Sequence, residues 1–217
     1  MKTLNFLFLV FLTVNSISAE DIVVSPQGQY AEIDVYESND LMEILNNNYD
    51  DLFGWKKKAA RTINQAPGSY HPPALMAAGI YYLKQKDFEQ AAPLCIGALS
   101  RTDIDILISK DKTVGDAAFI LMLQLENAIC ESIFTDQELK KWNDVYNKAF
   151  FNFEIWDRKT PRNYDDRWIR LHSMRAFTDS TFTEISDNEK WDIIEQYYLQ
   201  IKGIESVETL TKIFPYE

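Results

Sequence analysis

Residues 75–103 read LMAAGIYYLKQKDFEQAAPLCIGALSRTD, and this stretch decides the fold. Leu75, Ala78, Gly79 and Tyr82 fall at i, i+3, i+4 and i+7, one face of a helix. Lys84-Gln85-Lys86-Asp87 makes a turn, with Asp87 as the cap of the next helix. Phe88, Ala91, Cys95 and Ala98 then continue a single face, with Leu99 beside them. A glycine inside a helix costs about 1 kcal/mol relative to alanine. Gly79 therefore predicts a second backbone in close approach. Two short antiparallel helices, with small residues set against Tyr82 and Phe88, are the expected result.

The helical period continues in both directions. Upstream, Ser38 or Asn39 is expected to cap a short helix through Leu45. A second helix over 51–64 starts at Asp50-Asp51 and ends at Ala66-Pro67-Gly68, with Leu52, Trp55, Ala59 and Ile63 inward. Lys56, Lys57, Lys58 and Arg61 on it read as a solvated basic face. Downstream, 113–134 is apolar on nearly every side, from Ala117 through Ile133, which predicts the central, buried helix. Gln124, Glu126, Asn127 and Glu131 argue against its being a membrane span. Thr135-Asp136-Gln137-Glu138 is a capping box. It opens one long helix to about Asp157, with Leu139, Trp142, Tyr146, Ala149, Phe153 and Trp156 as an unbroken inner stripe. Asn163 is expected to cap a further helix carrying Tyr164, Trp168 and Leu171 inward. Ser186-Asp187-Asn188-Glu189 starts another, which stops at Gly203, and Ser206 caps a last turn before Pro215. The prediction is all-α: a single irregular bundle of seven to eight helices over residues 38–217.

The 75–103 stretch resembles a tetratricopeptide repeat. Leu75, Ala78, Gly79, Tyr82, Phe88, Ala91 and Ala98 stand at that family's pattern positions. The resemblance implies a scaffold for binding other proteins. Three residues depart from it: Cys95 for the second-helix aromatic, Asp103 for the closing Pro, and Pro93 inside the second helix. No second copy follows, so one TPR-like hairpin within a non-repetitive bundle is expected.

The ends and the bulk composition set further bounds. Residues 1–19 read as a signal peptide: Lys2, the apolar run Phe6 to Val14, then Ser16, Ser18 and Ala19. Cleavage falls after Ala19 or Ser18. The run is shorter than the roughly 20 residues a membrane helix needs. An exported protein, periplasmic or secreted, is expected. Residues 20–37 form an N-terminal segment of strand-like composition around Ser25-Pro26-Gln27-Gly28, read either as a short hairpin or as an extended arm. The formal charge is −11 over 217 residues. Such acidity opposes nucleic acid and anionic surfaces and favours a basic protein partner. Within it, residues 158–175 are net basic and residues 179–217 net acidic, read as mutual pairing of neighbouring helices or as an acidic docking surface. The chain has two cysteines, Cys95 and Cys130. In an exported protein they form either one disulfide or two buried thiols.

Chemistry-bearing motifs are scarce. His71 lies in a loop and reads as a surface residue. His172, among Arg167, Arg170 and Arg175, reads as half-buried or salt-bridged. No ligand spacing for zinc or calcium, no nucleophile elbow and no phosphate loop occurs. Neither a catalytic residue, nor a cofactor, nor a metal site is therefore assigned. Glu126 and Glu131 are the carboxylates to watch, since a buried acid can serve as a general acid. The expectation is an exported, acidic, non-enzymatic helical module that binds another, basic protein, of immunity or adaptor type in the cell envelope. The alternatives are an exported hydrolase using carboxylates, or an envelope protein without a ligand.

Overall fold

A 22-residue helix, Phe88–Ser109, is the axis on which the other elements assemble. The computed structural model describes residues 33–47, 51, 53–132, 134–173 and 185–203. Among these the chain is all-helical. The α-helices are α1 Tyr36–Asn46, α2 Trp55–Gln65, α3 Pro72–Lys84, α4 Phe88–Ser109, α5 Asp116–Glu131, α6 Asp136–Phe151, α7 Phe153–Lys159 and α8 Asp187–Lys202. Three 3-10 segments join them: Pro67–Ser69, Lys112–Val114 and Asp166–His172. The signal peptide expected at 1–19, nearly all of the N-terminal segment at 20–37 and the last turn expected from Ser206 lie outside the described residues.

α3 and α4 form the most extensive helix pair. Pro72 opens α3, where a missing N–H costs nothing. The turn between them places Lys86 at φ 61°, and Asp87 N donates to the Tyr82 carbonyl at 3.0 Å. A Cβ on Gly79 would lie 2.6 Å from Cys95 Sγ and 3.2 Å from Cys95 N. That is the close backbone approach its presence in a helix calls for. Around this pair a core of Leu75, Leu83, Phe88, Leu94, Leu121, Leu125 and Trp142 is buried. A second cluster, Ile96, Ile104, Ile108, Phe153, Tyr198 and Ile201, joins α4 to α7 and α8.

Several expected boundaries move. α4 does not stop near Arg101 but runs on to Ser109, with Pro93 inside it. Ile104 and Ile108 extend its buried face, and that burial carries the helix beyond the 75–103 stretch. The central helix is therefore α4, not α5. On α5 only Ala117, Leu121, Leu125 and Ala128 are buried. The long helix expected over 135–157 is two, α6 and α7, separated at Asn152. There Asn152 Nδ2 donates back to the Lys148 carbonyl at 2.7 Å, the local competition that lets Asn end a helix. The inner stripe survives the break, and Phe153 is 1% exposed. α1 begins at Tyr36 without a side-chain cap, before the expected Ser38. Trp55 is 64% exposed, because Ala60 takes the inner face of α2 with Ala59 and Ile63. The Asn163 region forms a 3-10 segment capped by Asp165, which accepts from Arg167 N.

The disulfide weighed between Cys95 and Cys130 is not formed; both thiols are free. Cys95 is buried against Gly79 in the α3–α4 seam, whereas Cys130 is exposed on α5.

Candidate functional site

Two features stand apart from ordinary core packing. The first is a buried set of charges on the second half of α4. Arg101 is 0% exposed. Its Nε donates to Asp157 Oδ1 at 2.7 Å, Nη1 to the Pro67 carbonyl at 3.0 Å and Nη2 to Thr160 Oγ1 at 2.8 Å. Asp157 Oδ2 also accepts from Arg162 Nη2 at 2.5 Å and from the Tyr198 hydroxyl at 2.6 Å. One turn beyond Arg101, Asp105 Oδ2 accepts from the Tyr164 hydroxyl at 2.9 Å and from Trp168 Nε1 at 2.7 Å. His71, at the start of α3, stacks on Trp168 with ring centroids 5.7 Å apart.

Burial and charge set the protonation of this cluster. Burial would raise Asp157, but the charges of Arg162 and Arg101 hold it below the usual carboxylate range. Asp105 lacks a guanidinium hydrogen bond, and burial pushes it up to about 7. Burial likewise lowers His71 to about 4. The cluster ties α4 to α7, α8, the 67–69 turn and residues 160–168. With Arg101 and Asp105 both fully buried, it fastens these elements together inside the core.

The second feature is the outer face of α5. Its sequence, DAAFILMLQLENAICE, contains no Lys or Arg. Ala117, Leu121, Leu125 and Ala128 recur every three or four residues, and this edge packs on α3 and α4. A helix apolar all round then has apolar residues left over. Phe119 is 53%, Ile120 46% and Leu123 38% exposed. Asp116, Glu126 and Glu131 are exposed on the same helix. Glu131 pairs with Lys84 at 3.2 Å, with both side chains largely in water. Contiguous apolar residues exposed on one helix face are the kind of surface that interaction sites use.

The remaining expected residues fall elsewhere. His71 is buried rather than on the surface: its N–H faces Ser38 Oγ of α1 at 3.4 Å and its ring lies against Trp168. His172 is exposed and meets Trp168 edge-on at 5.4 Å. Burial pushes the Cys95 thiol up to about 12, far from a reactive thiolate. Glu126 and Glu131 face water, away from the buried charges. Of the opposed charge blocks, Arg158 pairs with Glu195 at 2.8 Å; Glu189 is taken by Lys110, so the acids of α8 are partly spent within the molecule, and Lys190 of α8 pairs in the reverse sense with Asp166. Among the described residues no group of three or more His, Cys, Asp or Glu could hold a metal ion. No helix there is long and apolar enough to cross a membrane. The buried Arg101–Asp157 pair and the α5 face both escape sequence reading. The one signal available was the charge of Arg101 inside an otherwise apolar stripe. No model of a known protein family matches the chain, and neither the curated proteins nor the solved structures give a significant match.

Proposed function

We propose that this is an exported protein-binding module and that the outer face of α5 is its docking surface. One observation carries the reading: Phe119, Ile120 and Leu123 are exposed on a helix whose only charges are carboxylates. An apolar ridge flanked by acids complements a partner segment that is apolar on one side and basic on the other. The overall charge of −11 adds long-range attraction for such a partner. An immunity-type role, in which a basic toxin is capped, is the specific form this reading takes.

The test places a photo-crosslinking amino acid at Leu123, and at Lys140 on α6 as control, in cell envelopes. The crosslinked partner is then purified and titrated against the wild type and Phe119→Asp/Leu123→Asp. The expected result is a crosslink at Leu123 only, to a protein whose binding falls at least tenfold in the double variant and weakens in 0.5 M salt. Equal crosslinking at both positions, or unchanged binding by the variant, would remove the α5 face from consideration.

A further inference from the structure

α4, α6 and α7 enclose an open groove of ≈ 360 Å³, away from the α5 face. Pro93, Ile96, Val145, Phe153, Ile155 and Trp156 give it an apolar floor. The floor is fixed in place. The Arg101 guanidinium lies 4.8 Å from the Trp156 ring centre. On α4, a Cβ on Gly97 would come within 2.5 Å of the same ring. Pro93 turns its ring into the groove, so the helix position without an N–H lies on this open side.

The rim is charged. Lys148 and Lys159 line it, with Glu89 as the one acid. Neither lysine has an ion-pair partner among the described residues. The volume lies at the small end of ligand pockets, about 300–1,000 Å³. A single turn of a partner helix, about 5.4 Å long and at least 10 Å wide, would overfill it. A narrow aliphatic chain does not. The surrounding walls are helix sides and the α6–α7 junction. They offer an extended peptide no strand edge to pair with.

We propose that the groove binds an aliphatic carboxylate of medium chain length, with the chain along Ile96, Val145, Phe153 and Trp156 and the carboxylate at the lysine rim. Apolar burial supplies affinity, and the net positive rim selects an anion over the neutral alcohol.

The test is calorimetric titration of the full mature chain with octanoate and decanoate below their micelle concentrations and with decanol below its solubility limit. Decanoate is expected to bind, about fourfold tighter per buried methylene than octanoate, and at least tenfold tighter than decanol. Lys148→Glu/Lys159→Glu should weaken decanoate at least tenfold without lowering the melting temperature by more than a few degrees. Ala149→Trp, which fills the groove, should abolish binding. If the reversal variant does not fold, the decanoate-to-decanol ratio on the wild type decides alone. No decanoate binding, equal binding of decanol, or full binding by a folded Ala149→Trp would overturn the proposal. Binding of an acidic peptide in place of decanoate would also overturn it, and would make the groove a protein site.

Discussion

Arg101 is the residue on which the most contacts converge. A guanidinium can serve a carboxylate, two carbonyls and an aromatic face at once, because its donors lie in a rigid plane. Removing it strips the buried Asp157 Oδ1 of its partner and leaves Arg162 and Tyr198 on Oδ2. Arg101→Leu should destabilise the protein by roughly 3–5 kcal/mol in urea unfolding, and Arg101→Lys should recover only part of this. Asp105 makes a separate prediction about pH. Its folded pKa, about 7, lies above the unfolded value. The folded state therefore holds the extra proton, and the contribution is present at low pH and lost as pH rises from about 4 to 7. His71 works in the opposite sense. Its folded value, about 4, lies below 6.5, so its contribution is present above pH 6.5 and lost as pH falls toward 4. In Asp105→Asn the other dependences remain, among them those of His71, of Asp103, which burial raises to about 6, and of His172, which burial lowers. Relative to wild type, the variant should gain about 1.4 kcal/mol per pH unit between pH 4 and 7. Urea melts at pH 4.5, 5.5, 6.5 and 7.5 measure this. A wild-type-minus-variant difference that does not vary with pH would show that Asp105 does not titrate there.

At the scale of elements, the α3–α4 pair shows how a sequence can fix a contact. Gly79 costs helix propensity, and the seam recovers it through approach to Cys95. Gly79→Ala brings a methyl within 2.6 Å of Cys95 Sγ. It should cost about 1–3 kcal/mol in thermal unfolding despite alanine's better propensity. Cys95→Ala in the same chain should recover part of the loss, because the thiol is the nearest atom. The tight fit at Ala91 O, 3.3 Å away, limits the recovery. If Gly79→Ala is neutral, the seam is looser than these distances. The helices that local pattern misplaces fail for one reason. α4 outruns its expected end because Ile104 and Ile108 find partners on α7 and α8. α6 stops early because Asn152 bonds its own backbone. Neither effect is visible in a periodicity.

For the whole molecule, the central question is which apolar helix becomes the centre. Both α4 and 113–134 carry enough apolar residues. α4 wins because α3, α5, α6, α7, α8 and the 166–172 segment all pack on it, and α5 is left at the edge with Phe119, Ile120 and Leu123 outward. The sequence by itself determined the helical class, the turn at Lys84–Asp87, the capping box at Thr135, the close approach at Gly79 and the inward stripe of α6 and α7. These follow from backbone geometry and neighbours within about four residues. Tertiary structure alone decided that Arg101 meets Asp157 across 56 positions, that Asp105 is held by Tyr164 and Trp168, and that Phe119, Ile120 and Leu123 of α5 are left outward. Burial of a charge and exposure of an apolar ridge depend on which helices compete for the same core, and that competition is a property of the packed molecule.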